Sequence, residues 1–252
     1  MQKVKSLINY SKEECVLKKY KDKVLVIIPA YNEEECIRSV VGNLCKNYPQ
    51  YDYVIINDGS SDHTAEICRE RNYHMIDLPV NLGLAGAFQT GMKYAYKHDY
   101  GYAIQFDADG QHLPEYIESM KEELDKGYDI VIGSRFVTQK KSYSMRMLGS
   151  NLISLAIRMS TGKRVMDPTS GMRMYNQKMI CKFATSMNFG PEPDTMSHLI
   201  RNGVRISEVQ VEMRERIAGE SYLKPLKAAS YMIRMMLSIL IIQNFRKKEG
   251  RR

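Results

Sequence analysis

Asp107 and Asp109 stand one residue apart, directly after the apolar-rich run Tyr102–Phe106 and before Gly110, Gln111 and His112. Two carboxylates at that spacing on a turn can approach a single point. Hard oxygen ligands so placed suit Mg²⁺ or Mn²⁺, and such a cation can bridge a diphosphate and offset charge on a departing group. Asp109 is the candidate ligand, Asp107 its catalytic companion, and His112 a candidate further metal contact. A D-x-D pair also serves as a capping pair in a loop, so the spacing alone does not decide.

Two other turns carry polar groups. In Asp58-Gly59-Ser60-Ser61-Asp62 the Asp58 carboxylate can accept an N–H from a nucleobase, and Gly59 lets the backbone come close. In Pro29-Ala30-Tyr31-Asn32-Glu33 the Tyr31 ring can stack on a base. Both segments read equally as plain strand-to-helix turns with a capping residue. Arg135, Arg173, Arg214 and Arg216 present planar forks suited to phosphate oxygens. Lys140-Lys141 and Arg246-Lys247-Lys248 read as solubilising or membrane-facing charge. His63, His74, His98 and His198 have no metal-binding spacing.

The elements that must hold these turns alternate through the first half of the chain. Val24–Pro29 is a continuous apolar run, the form of a strand buried on both faces. A helix over Glu33–Leu44 follows, with Asn32 as its cap. Further strands are expected at Asp52–Ile56, His74–Leu78, Tyr102–Phe106 and Asp129–Ile132. Helices are expected from Asp62 or Ser61 to Arg71, over Ala85–His98 and over Pro114–Lys126. This βαβ alternation predicts a mainly parallel sheet with helices on both faces. Ligands then bind beyond the carboxyl ends of the strands, which places Tyr31–Glu33, Asp58–Ser60 and Asp107–Asp109 on one rim. In the second half, helices are expected over Ser144–Ser160 and Glu192–Arg201, strands at Gly171–Tyr175 and Ile206–Val211, and a long amphipathic helix over Leu223–Phe245.

The whole chain has 252 residues, 44% hydrophobic and 26% charged, with a formal charge of +8. That is one large α/β domain with an anionic partner. The basic residues lack aromatic interleaving and any nucleic-acid motif, so nucleic acid is not the partner. Five widely spaced cysteines without a C-x-x-C pair fit a reducing cytoplasm. Met1–Lys23 lacks the apolar core of a secretory signal, and no run reaches the ~20 apolar residues that span a bilayer. On the C-terminal helix Met232, Met235, Met236, Ile239 and Ile242 share a face, followed by basic residues. Such a helix lies on a membrane or folds back on the core.

Taken together, IIPAYNEE (Ile27–Glu34), INDGSSDHT (Ile56–Thr64), NLGLAGAFQTG (Asn81–Gly91), DADGQH (Asp107–His112), DIVIGSRF (Asp129–Phe136), DPTSGMRMY (Asp167–Tyr175) and RIAGESY (Arg216–Tyr222) occur in a specific order. The chain resembles glycosyltransferase family 2, in the branch of dolichyl-phosphate mannose synthase and polyprenyl-phosphate hexose synthases. The resemblance implies a GT-A fold over residues 24–222, with residues 1–23 as an N-terminal extension and 223–252 as the amphipathic helix and basic tail. It implies a metal-dependent, inverting transfer of a hexose from a UDP- or GDP-sugar. Tyr31, Glu33, Asp58 and Gly83 match nucleotide contacts, with Pro29 and Ala108 beside them. Asp107 and Asp109 match the metal and diphosphate motif. Arg135, Asp167, Ser170 and Arg173 match segments that shape the donor and acceptor-phosphate site, with Arg214 and Arg216 as further phosphate groups. The family loop N-x-G-K-G-G lacks its lysine at Leu84-Ala85-Gly86. A polyprenyl phosphate acceptor at the inner face of the cell membrane needs no general base. A glycan hydroxyl acceptor would, and Asp194 is the candidate.

Overall fold

The computed structural model describes residues 20–139, 145–186, 190–215 and 225–242. Seven strands form one sheet in the order β3-β2-β1-β4-β6-β5-β7. The strands are β1 (Tyr20–Ala30), β2 (Asp52–Asn57), β3 (Met75–Asp77), β4 (Tyr100–Gln105), β5 (Ile130–Ser134), β6 (Arg173–Asn176) and β7 (Ile206–Gln210). β6 alone runs antiparallel, between β4 and β5; the other pairings are parallel. The expected parallel sheet is therefore present with one reversed strand.

The central strand shows why. Leu25, Val26, Ile27 and Ile28 are fully buried, each stabilising by roughly 1.5–3 kcal/mol. Because side chains alternate across a strand, Leu25 and Ile27 enter one core and Val24, Val26 and Ile28 the other. The first core lies under α3 (Gly83–Lys97), α5 (Met145–Thr161), α6 (Gln177–Thr185), α7 (Pro193–Arg201) and α8 (Pro225–Leu237). The second lies under α1 (Ile37–Asn47) and α4 (Ile117–Asp125), with Cys68 from α2 (Thr64–Glu70). Helix α3 lies so close to β1 that a β-carbon at Gly91 would stand 2.3 Å from Ile27 Cγ2.

Several local expectations change. The first helix begins at Ile37, not Glu33, and Asn32 is a left-handed residue (φ 56°) rather than its cap. The Glu33 and Glu34 N–H groups donate instead to Thr64 Oγ1 and Asp62 Oδ2, so this turn is pinned to the neighbouring loop and the helix starts later. Helix α6, not expected from the sequence, is capped by Asn176, which accepts from the Met179 N–H. Strand β1 begins at Tyr20, so the last residues of the expected N-terminal extension join the sheet.

The C-terminal helix ends in a π-helical turn, Ser238–Ile242. Of the expected face, Met235 and Ile239 are buried in the core, Met232 and Met236 are half-buried and Ile242 is exposed. The helix crosses α5 closely, where a β-carbon at Gly149 would overlap Met232 Sδ at 1.6 Å. Lys140, Lys141, all of RIAGESY with Arg216, and the basic tail lie outside the described residues.

Candidate active site

Every parallel strand ends on one side of the sheet, and β6 begins there. The three polar turns expected on one rim do share it. From the β2 end, Asp58 donates its N–H to Ala30 O and accepts the Leu82 N–H at Oδ1, 2.7 Å away. Gly59 (φ 66°) has Val80 and Asn81 backbone within 2.8 Å of where a β-carbon would stand, which only glycine tolerates. Asn32 and Ser60–Ser61 exchange hydrogen bonds. The result is a stapled pair of loops presenting Tyr31, Val80 and Leu82 as exposed apolar surfaces around buried Asp58. Gly83 also lies here, its N–H donated to Asn81 Oδ1. Pro29 is half-buried, and Glu33 is held by its backbone to Thr64.

At the end of β4, Gly110 (φ 80°) turns the chain. Asp109 is buried and accepts the Gln111 N–H at 3.1 Å. Asp107 is more open and accepts from Gln105 Nε2 at 3.3 Å. Ala108 packs its methyl into the core, leaving only its backbone for a ligand. Gly171, at the start of β6, abuts Asp107. This cradle has a donor set of hard carboxylate oxygens, which fits Mg²⁺ or Mn²⁺ completed by phosphate oxygens and water.

His112, the expected further metal contact, faces Asp107. Its ring is buried against Phe106. Nδ1 accepts the Asp107 N–H at 2.9 Å and Nε2 lies 3.5 Å from Asp107 Oδ2. With Nδ1 accepting, the ring proton is on Nε2 and both nitrogens are turned onto Asp107, leaving no lone pair for a cation.

The DPTSGMR segment builds the rim from inside rather than facing it. Asp167 is fully buried and receives the Arg135 guanidinium at 2.8 and 2.9 Å. Ser170 donates to Gly133 O. Arg173 is buried, donating to the carbonyls of Ser170, Pro191 and Pro168. Arg173, expected at the phosphate site, thus spends three of its donors on the carbonyls of two segments, 168–170 and Pro191. Asp167 and Ser170 hold Arg135 and the Gly133 carbonyl from within the protein. Arg135 is partly exposed beside Phe136. Arg214 is exposed, and its segment reaches the aspartate turn through Arg214 N–H to Gln111 O at 3.0 Å.

Asp194 sits at the start of α7, accepting from Thr195 N–H at 2.7 Å and Ser238 Oγ at 2.6 Å. It ties α8 to α7. Beside it, burial raises the Glu192 carboxyl, Asp194 adds to the rise, and Arg234 and Arg173 oppose it. Burial also pushes Tyr231 up to about 12, with Glu192 contributing. Glu192, Gln111 and Glu208, whose carboxylate accepts the Met166 and Asp167 N–H groups, were not singled out in the sequence. Gln111 lies in the DADGQH turn, its one signal in the sequence; Glu192 and Glu208 carry none. A cavity of about 370 Å³ opens at Phe136, the residue after Arg135, lined also by Thr138, Asn151, Arg164 and Met166.

The family model described as Glycosyl transferase family 2 matches residues 25–183. The chain belongs to that family. It is 29% identical over 212 residues to polyprenol monophosphomannose synthase of Mycolicibacterium smegmatis, covering 79% of this chain and 80% of the relative. To undecaprenyl-phosphate mannosyltransferase of Micrococcus luteus it is 31% identical, covering 79% and 86%. These relatives place this glycosyltransferase in the branch its motifs resemble. Among solved structures, glucosyl-3-phosphoglycerate synthase from Mycobacterium tuberculosis, with Mn²⁺, UDP and phosphoglyceric acid, aligns at TM-score 0.62 and 18% identity over 90% of this chain and 80% of that one. The shared fold is GT-A.

Proposed function

We propose that this glycosyltransferase moves a hexose from a UDP- or GDP-sugar to a polyprenyl phosphate at a membrane surface. The observation that carries the reading is the aspartate turn at the end of β4, with Gly171 leaving Asp107 open to the rim. The lipid-phosphate acceptors named in the relatives support the acceptor class.

In this reading Tyr31 stacks on the nucleobase and Asp58 fixes its edge, within loops already stapled together. Asp107 and Asp109 would hold a divalent cation, which when bound supplies charge compensation to the departing diphosphate. His112 and Gln105 hold Asp107 in place. Arg214 and the open side of Arg135 offer phosphate contacts, and the cavity at Phe136, with Arg164 in its wall, takes the acceptor phosphate. An acceptor phosphate oxygen attacks the anomeric carbon in line, the bond to the diphosphate oxygen breaks, and configuration inverts. The acceptor is already an anion, so no side chain has to remove a proton. Asp194, engaged with Ser238, then serves as a tie between helices.

The test is a thermal-shift screen of sugar nucleotides with and without Mn²⁺, followed by transfer to polyprenyl phosphate. A ligand bound by the folded state alone raises apparent stability. The true donor is expected to stand out only with metal, and Asp109→Ala to abolish both shift and transfer while keeping the fold. Full transfer by that variant would remove the mechanism. Transfer to soluble glycans that Asp194→Asn abolishes would favour a hydroxyl acceptor instead.

A further inference from the structure

Thirteen large hydrophobic side chains are exposed among the described residues, and eight of them lie on α5 and the C-terminal helix. On α5 they are Leu148, Leu152, Leu155 and Met159, at intervals of four, three and four residues. That spacing is one stripe down one face of a helix. On the C-terminal helix Ile233, Leu237 and Ile241 repeat every four residues, with Ile242 beside them. Met159 and Ile233 are 70% and 60% exposed. The two helices cross tightly at Gly149 and Met232, so the stripes sit on one packed pair and not on separate parts of the molecule.

Charge on this pair is one-sided. Neither α5 nor Pro225–Ile242 contains a single Asp or Glu. Arg158 and Arg234 are exposed on them, and Lys163 and Arg164 are exposed just beyond α5. An apolar face flanked by cations is what a helix lying in the headgroup layer needs. A second copy of the chain in a two-fold pairing would set this acid-free surface against itself, like charge facing like. No helix among the described residues is long and apolar enough to cross a membrane, so the fit is to a surface.

We propose that α5 and α8 together form one docking face for an anionic bilayer, with both apolar stripes entering the headgroup layer and Arg158 and Arg234 meeting lipid phosphates. The face adjoins the acceptor cavity: Asn151 of α5 lines it, with Phe136, the residue after Arg135. The proposal deepens the lipid-acceptor reading and rests on it for its purpose, since an acceptor whose chain stays in the bilayer would meet the enzyme from this side.

Sedimentation of the full chain with vesicles tests it without turnover. Binding is expected to phosphatidylglycerol vesicles, weaker to phosphatidylcholine and weaker in high salt. The double variants Leu152→Ser/Leu155→Ser and Ile233→Ser/Leu237→Ser should each lower partitioning by about ten-fold or more, with unchanged melting temperature and unchanged shift by sugar nucleotide. An α5 variant that binds vesicles like the parent would overturn the two-helix face. So would a parent dimer that these variants convert to monomer while vesicle binding persists. A chain that binds vesicles as expected but transfers nothing to polyprenyl phosphate would sink the acceptor reading and leave the docking face standing.

Discussion

Beside Asp107, Gly171 leaves room for a hydrogen and little more. A β-carbon at that position would stand 2.5 Å from Oδ2 and 3.2 Å from both Oδ1 and Cγ. Ordinary contact begins at 3.4 Å, so the shortfall, 3.4 less 2.5, is about 0.9 Å. Gly171→Ala therefore has to drive the whole carboxyl outward, away from Gln105 Nε2 at 3.3 Å and His112 Nε2 at 3.5 Å. The backbone itself tolerates alanine, since Gly171 is not among the positive-φ residues. With its side chain 36% exposed, Asp107 has solvent to retreat into. The overpacking cost is then under about 1 kcal/mol, or less than about 4 °C in melting temperature for a chain of this size. Displacing a reacting-centre group by about 1 Å costs roughly 100-fold in rate, which is about 2.7 kcal/mol of barrier. The assay is the initial rate of hexose transfer at saturating Mn²⁺, beside differential scanning fluorimetry. A large loss of kcat/KM with a nearly unchanged melting temperature is expected. If the variant transfers sugar at close to the parental rate, Asp107 is not where the diphosphate leaves, and the placement of the reaction at this turn fails.

Three further outcomes can be measured. Asp167→Asn breaks a bidentate pair whose acceptor is fully buried; because Arg135 is 29% exposed and can turn to water, the cost is about 2 kcal/mol rather than the larger figure for fully buried pairs. A melting temperature within 1 °C of the parent, where a drop of roughly 4–8 °C is expected, would show that the pair contributes little. The Glu192 carboxyl is raised by burial above its ordinary 4.5 while the unfolded chain keeps that value, so its ionised form weakens the fold at neutral pH and the loss is recovered as pH falls through the raised native value. Glu192→Gln should thus melt above the parent at pH 7, with the margin vanishing by about pH 4; a margin that does not change with pH would defeat the burial account. Gly149→Leu should lift Met232 off α5 and expose 225–242 to rapid amide exchange, and unaltered protection there would refute the tight crossing.

The rim was legible because its signals are local. A strand buried on both faces must be apolar throughout, and Leu25–Ile28 are; a chain leaving such a strand must turn through polar or glycine residues, and Asp58-Gly59 and Asp107-Ala108-Asp109-Gly110 do. Those two facts put three turns on one edge before any coordinate is known. The reversed β6 was less legible, since four residues, Arg173–Asn176, carry no mark of direction. The helix start at Ile37 was missed because its competing partners, Thr64 and Asp62, lie about thirty positions away in the chain.

What a side chain is used for proved harder to read than where it lies. Arg173 and Arg214 look alike in sequence, yet one donates inward to three carbonyls and the other stays exposed beside the aspartate turn. The difference is burial, which depends on contacts with Pro168 and Pro191 that sequence spacing does not encode. The C-terminal helix poses the same problem over a whole face. Its residues are apolar nearly all round, so a 3.6-residue period selects no unique inward side. Gly149, on another helix, lets Met232 approach closely, while Met235 and Ile239 turn inward and Ile233, Leu237 and Ile241 stay outside. Gly149 is where α5 meets the helix that carries the exposed stripe, which is why disturbing that glycine and removing the stripe should alter the same surface by different routes.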